Sequence, residues 1–313
     1  MKMAHLTNGS LWVRMLVCLI ALATISPTQT QAQDADSETP SPRDSIRAMS
    51  FNIRLGVAKD GPNHWDKRKE FVVQTIKNYD ADVIGTQETW DFQAKYLAEN
   101  LPDYTYVGRS RQNDNSGEQC GILFRNSRFD KLVEGHFWLS ETPDRPGSKS
   151  WDSSLPRMVT WLKLWDRTNE RSLFIVNTHF DHRGKTARNE SAKMIRDFVS
   201  RLPTPADVIV TGDFNAAEGA PPYQSLFAKQ PQKNGTLVQS PLVDTFRVVH
   251  PDATNTEGTF SAWNGSVKGA RIDWVAVTRG FAIDAAAIDR TSFGGKYPSD
   301  HYPVTAELRF STN

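Results

Sequence analysis

Val208-Ile-Val-Thr-Gly-Asp-Phe-Asn215 is a hydrophobic run that stops at a glycine and delivers two polar side chains at alternate positions, Asp213 and Asn215. It reads as a short strand whose end carries a base and an amide donor side by side. A segment from about 186 to 202 precedes it, with Ile195, Val199 and Leu202 at helical spacing. Helix, short apolar strand and polar strand end make a unit that recurs along the chain.

Upstream, residues 46–53 read as a strand, 66–79 as a helix with Val72, Ile76 and Tyr79 on one face, 81–86 as a buried strand and 91–101 as a second helix. Five β segments follow with no clear helix between them: 104–107, 121–124, 129–139, 158–165 and 172–178. That spacing predicts antiparallel pairing. Downstream, strands are expected at 271–277 and 304–310, separated by Gly- and Asn-rich loops. Helices segregated around many mostly antiparallel strands fit an α/β (α+β) fold, a four-layer α/β/β/α sandwich.

Nearly every expected strand ends in a residue of metal- or phosphate-binding type, and strand ends at one rim can assemble a site from distant sequence positions. Asn52 ends the first strand, although an Asn there also suits a plain turn. Glu88 follows Asp82-Val-Ile-Gly-Thr-Gln, and a carboxylate after a buried strand suits an oxygen-loving divalent ion; the alternative is an acid favoured by the next helix's amino terminus. Ile175-Val-Asn-Thr-His-Phe-Asp-His182 offers His179, Asp181 and His182, with alternation placing His179 and Asp181 on one side and His182 opposite. Arg183 adds a fork suited to phosphate. Asp213 and Asn215 also fit a turn in which the carboxylate caps its own backbone. Asp273, between Ile272 and Trp274, needs a metal, His or Arg partner if buried. Asp300 and His301 adjoin in Pro298-Ser-Asp-His-Tyr-Pro-Val304.

The ordered set SFNIR, VIGTQE, VNTHFDH, TGDFN, RIDW and SDHYPV is similar to the motif series of the endonuclease/exonuclease/phosphatase superfamily, over about residues 46–310. The resemblance implies a DNase-like fold and a phosphoesterase that uses Mg²⁺ or Mn²⁺. By position it implies Glu88 as main metal ligand with Asn52 beside it and Asp300 as a further metal or metal-water contact. It further implies His301 on the scissile phosphoryl group and oriented by Asp273, Asp213 as general base, Asn215 as oxyanion donor and His179 as a phosphate contact. Trp138-Leu-Ser-Glu-Thr-Pro-Asp144, Trp151 and Leu155-Pro-Arg157 look like a bacterial subgroup of metal-dependent hydrolases near the deadenylase-like branch. Trp138, Trp151 and Arg157 are candidates for a stacking or anion-binding wall, with Arg183, Asp181 and His182 as further substrate contacts; tryptophans also serve as core anchors.

Attack by water needs no protein nucleophile, and no Ser or Cys is placed to act as one. Lys and Arg number 37 against 36 Asp and Glu, a formal net charge of +1, so no global field draws in a polyanion. That balance favours a phosphorylated small molecule, with a nuclease of the deadenylase-like kind as the alternative and a silent binding module the least supported reading. No protein partner is implied. Lys2 and Arg14 flank an apolar run, Met15 to Ile25, that ends in polar residues up to Ala32. This is the layout of a cleaved export signal, too short for a membrane anchor. Residues 33–44 read as a flexible linker, 45–313 as the folded domain, and the protein as periplasmic or extracellular. Cys18 lies inside the signal, so the mature chain keeps Cys120 alone, without an internal disulfide.

Overall fold

The computed structural model describes residues 43–311 except 115, 204 and 232–234; the expected export signal and almost all of the linker lie outside the described residues. The chain begins β1 (Ile46–Asn52), α1 (Lys69–Tyr79), β2 (Val83–Thr89), α2 (Asp91–Asn100), β3 (Tyr104–Val107) and β4 (Gln119–Arg125). It continues with β5 (Phe129–Trp138), β6 (Met158–Asp166), β7 (Arg171–His179), α3 (Lys185–Arg201) and β8 (Val208–Asp213). Then come α4 (Pro221–Phe227), β9 (Gln230–Pro231), β10 (Leu237–Val238), β11 (Leu242–Asp244) and α5 (Thr245–Val249). The last strands are β12 (Asp273–Thr278), β13 (Phe281–Ile288) and β14 (Val304–Phe310).

Two six-stranded sheets form, in the orders β13-β14-β1-β2-β4-β3 and β11-β12-β8-β7-β6-β5. Within these sheets the described strands pair antiparallel except at two places, β1 with β2 and β7 with β8. A parallel pair needs a crossover, and α1 and α3 provide the two. Each crossover leaves two strands ending at the same rim: Asn52 pairs in register with Gln87 in one sheet and His179 with Asp213 in the other. β12 runs back against β8 and starts at Asp273, directly opposite Asp213.

Alternation along each strand divides the apolar residues between three cores. Ala48, Val83 and Ile122 meet Leu162, Ile175, Ile209 and Val275 between the sheets. Met49, Phe51 and Ile84 face Val72, Ile76 and Leu97 of α1 and α2, while Val176, Val208 and Val210 face Ala192, Ile195 and Val199 of α3. Full burial of each such Ile or Leu is worth roughly 1.5–3 kcal/mol over exposure. The three cores define the expected α/β/β/α layering.

Towards the rim the core between the sheets turns polar. Asn177 donates to the carbonyls of Thr86 and Gly121, both at 2.8 Å, and accepts from Gln87 at 2.8 Å and Thr211 at 3.0 Å. Gly85 permits this approach: a Cβ there would lie 1.9 Å from Thr211 Oγ1. The other end of β2 is tied by charge. Buried Arg128 bonds Asp82 Oδ2 at 3.1 Å and Asp166 Oδ2 at 2.9 Å, joining the two sheets.

Some boundaries differ from the sequence reading. α1 starts at Lys69 because Trp65–Lys67 takes a 3-10 turn first. β2 runs on through Glu88 to Thr89 by way of a bulge against β4. The last third is not loops alone: α4, β11, α5 and the Ala-rich β13 lie there, short or weakly alternating elements whose pairing partners, not their own pattern, define them.

Candidate active site

A cleft of about 530 Å³ opens at the rim where β1, β2, β7 and β8 end. Glu88, Asp300 and Arg54 line it together with His179, Asp213, Asn215 and His301, and Phe260 and Trp263 form part of its wall. A more apolar groove of about 570 Å³ between β5, β6 and α3 carries none of these side chains.

The acidic half of the cleft is built on β1 and β2. Glu88 sits in the β2 bulge with φ of 59°, a left-handed backbone that costs a residue with a side chain on the order of 1–3 kcal/mol. The bulge turns its carboxylate inward. Buried Asn52 donates to Glu88 Oε1 at 3.1 Å and to Asp213 Oδ2 at 3.0 Å, and the Leu55 amide donates to Glu88 Oε2 at 2.9 Å. Asp300 is buried, and that burial, reinforced by the Glu88 charge, raises its carboxyl above the usual range. Arg54 spans the two carboxylates, 3.8 Å from Glu88 Oε2 and 3.6 Å from Asp300 Oδ2, and is itself gripped by Asp60. Two carboxylates facing one cleft are the hard oxygen donors that suit Mg²⁺ or Mn²⁺, whereas Asn52, expected beside Glu88 as a ligand, is buried outside the cleft lining with its Oδ1 accepting from the Arg54 amide at 3.0 Å, and so positions Glu88. The residues present therefore fit a divalent ion.

The other half is a row of hydrogen-bonded groups. His301 Nδ1 donates to Asp273 Oδ2 at 2.9 Å, and its Nε2 lies 3.8 Å from Asp213 Oδ2. Burial alone would lower the His301 pKa, but Asp273 and Asp213 together hold it well above the ordinary value. Burial raises the Asp213 carboxyl, with the Asp273 charge adding to it. His179 behaves oppositely: burial, then the Arg157 and Arg111 charges, keep it well below the ordinary value and so neutral. Its Nε2 accepts from Asn215 Nδ2 at 3.1 Å, and that same amide nitrogen donates to the Phe180 carbonyl at 3.1 Å. The Asn215 amide is thus committed to His179 and the Phe180 carbonyl, and not to the oxyanion that the resemblance implied. Asp213 also accepts from the Asn215 backbone at 2.9 Å, so the carboxylate caps its turn and lines the site at once. Asp213, Asp273 and His301 present donor atoms within 4.8 Å of one another, a buried cluster able to hold a metal ion.

Three expectations are corrected. Asp181 does not line the cleft: β7 ends at His179, the alternation stops, and Asp181 turns inward to accept from the amides of Ser154, Leu155, Arg183 and Gly184. His182, not Asp181, shares the cleft with His179. Arg183 is exposed and outside the cleft lining. Of the proposed wall only Arg157 remains; Trp138 is buried with Nε1 on the Arg111 carbonyl at 2.7 Å, and Trp151 is not a lining residue. Cys120 is buried and its thiol is pushed up to about 12 by burial, the behaviour of a small core residue. Sequence reasoning missed Arg54, Asp60, Glu118, Phe260 and Trp263. Arg54 was legible as the charged end of SFNIR; the others stand on loops or a strand start without periodic pattern.

A two-sheet sandwich with paired carboxylates and buried histidines at one rim is the arrangement of a hydrolase acting on phosphoester bonds, and the family match gives the same class. Residues 49–301 match the Endonuclease/Exonuclease/phosphatase family. The chain belongs to that family. A family member from Bacteroides thetaiotaomicron of known structure is 31% identical, with a TM-score of 0.75 over 85% of this chain and 95% of its own. A mannosyl-6-phosphatase from the same organism is also 31% identical, with a TM-score of 0.73 over 85% of this chain and all of its own (100%). Nocturnin of Drosophila melanogaster is 24% identical over 85% of this chain, which spans 47% of that relative's length.

Proposed function

We propose that this protein is an exported, Mg²⁺- or Mn²⁺-dependent phosphoesterase that hydrolyses a small phosphorylated molecule by direct attack of water. The observation that carries the reading is the division of one cleft into an oxygen-donor half, Glu88 and Asp300 with Asn52 holding Glu88, and a proton-handling half, Asp213, His301 and His179. A divalent ion on the first half would neutralise charge on the phosphoryl oxygens. Asp213, raised towards proton uptake, accepts the proton of the attacking water. His301, held by Asp273, donates to a phosphoryl oxygen as charge develops there; as the water oxygen bonds to phosphorus the P–O bond to the ester oxygen breaks, and the leaving alkoxide takes a proton from solvent. His179 stays neutral, oriented by Asn215, and contacts the phosphoryl group.

Glu88 and Asp300 are chosen over the cluster of Asp213, Asp273 and His301 as metal ligands because Asp273 and Asp213 hold His301 protonated, and an imidazolium offers a metal no lone pair. The near-neutral charge of the chain and its 31% identity to a mannosyl-6-phosphatase support a sugar phosphate or comparable small ester. Purified protein supplied with Mg²⁺ or Mn²⁺ is expected to hydrolyse sugar phosphates and bis-p-nitrophenyl phosphate faster than oligo(A), and to lose that activity to EDTA. Faster cleavage of oligo(A) would replace this reading with a nuclease.

Export rests on the Lys2, Arg14 and Met15–Ile25 layout ahead of Ala32. Amino-terminal sequencing of protein recovered from an exporting bacterial host is expected to begin at or near Gln33. Intact Met1 protein in the membrane fraction would contradict it.

A further inference from the structure

Beside His179 lies a small recess with charged side chains in its lining that the chemistry above leaves unused. Arg111 grips Glu118 in a bidentate pair, Nη1 to Oε2 at 2.7 Å and Nη2 to Oε1 at 2.8 Å. Glu118 lines the cleft, its Oε2 3.9 Å from His179 Nδ1. Arg157 is 4% exposed, and its Nε and Nη1 have no hydrogen-bond partner. The carboxylate oxygen nearest its Nε, Asp181 Oδ2 at 3.7 Å, already accepts from Ser154 and Leu155. Arg157 Nη2 lies 3.2 Å from Nδ1 of His182, an exposed cleft residue. A space of about 10 Å³, room for one water-sized group, lies between Arg111, Glu118, Arg157 and His179 on one side and Cys120 and Met158 on the other. A buried guanidinium with unfilled donors is costly unless a ligand or water supplies acceptors.

The mixture of signs identifies the ligand. A subsite for a second phosphate would carry cations alone, whereas here a further phosphate would meet the Glu118 carboxylate. A hydroxyl group both donates and accepts, so it can give its proton to Glu118 and take one from Arg157.

We propose that Glu118, Arg157 and His182 form a leaving-group subsite that selects hydroxyl-bearing esters, sugar or other polyol phosphates, over aryl esters and polynucleotides. The assignment rests on the phosphoesterase reading and specifies its substrate class. It is tested by measuring kcat/KM for a hexose 6-phosphate and for p-nitrophenyl phosphate in the wild type, Glu118→Gln and His182→Ala, each checked for fold by circular dichroism. The sugar-to-aryl ratio is expected to fall about tenfold or more in Glu118→Gln, as for loss of a substrate-hydroxyl contact, and at least roughly threefold in His182→Ala, mainly through KM. His182 is exposed, so its variant keeps the test decisive if Glu118→Gln fails to fold. An unchanged ratio, or an equal fall on both esters, would overturn the subsite. A wild type that turns over neither ester would instead overturn the phosphoesterase reading beneath it.

Discussion

Asp213 is the side chain on which the two halves of the site meet. Its Oδ2 accepts from Asn52 at 3.0 Å and stands 3.4 Å from His179 Nε2 and 3.8 Å from His301 Nε2. A carboxylate so placed can take a proton while its neighbours hold the phosphoryl group, and the two jobs are separable. Asp213→Asn and His301→Ala are each expected to lower kcat on the order of 10²-fold or more with the fold intact, as for acid–base and electrostatic groups. Hydrolysis in ¹⁸O-water should label the phosphoryl product directly. Near-normal turnover in the Asp213 variant would remove it as base, and a trapped phospho-enzyme would contradict attack by water.

The link from β7 to α3 shows how an element's end sets a residue's role. From sequence, strand alternation carried past His179 put Asp181 on that residue's side and His182 opposite. Once the strand stops at His179, Asp181 takes five hydrogen bonds from protein donors at Ser154, Leu155, Arg183 and Gly184. Burial opposes its charged form, but those donors, Gly184 and Ser154 foremost, hold its carboxyl well below the usual range. A carboxyl depressed by folding contributes stability that is full above its unfolded pKa of about 3.9 and is lost as pH falls through the lower folded value. Asp181→Ala is therefore expected to destabilise the protein by about 2–4 kcal/mol at pH 7, since it strands several buried donors. In Asp181→Asn the melting temperature should fall less steeply than the wild type's below about pH 4. Identical acid profiles in the two proteins would contradict this account of the turn.

At the scale of the molecule, two strand–helix–strand crossovers and two antiparallel returns, β12 on β8 and β14 on β1, bring six distant segments to a single rim. That much was legible, because apolar strands ending in Asn52, Glu88, His179 and Asp213 carry their own pattern, and Asp273 and Asp300-His301 complete it. The Glu88 bulge, the Asn177 network between the sheets and the Arg128 ion pairs were not legible, since each depends on which strands become neighbours. Glu118 and Trp263 stayed hidden because they stand outside the strands, where no periodic pattern marks them. The metal assignment is the central claim, and titration of Mg²⁺ or Mn²⁺ into the wild type, Glu88→Gln and Asp273→Asn by calorimetry tests it most directly. Affinity is expected to weaken about tenfold or more in Glu88→Gln and to stay close to the wild type's in Asp273→Asn; the reverse order would place the ion on the cluster of Asp213, Asp273 and His301 and contradict the account.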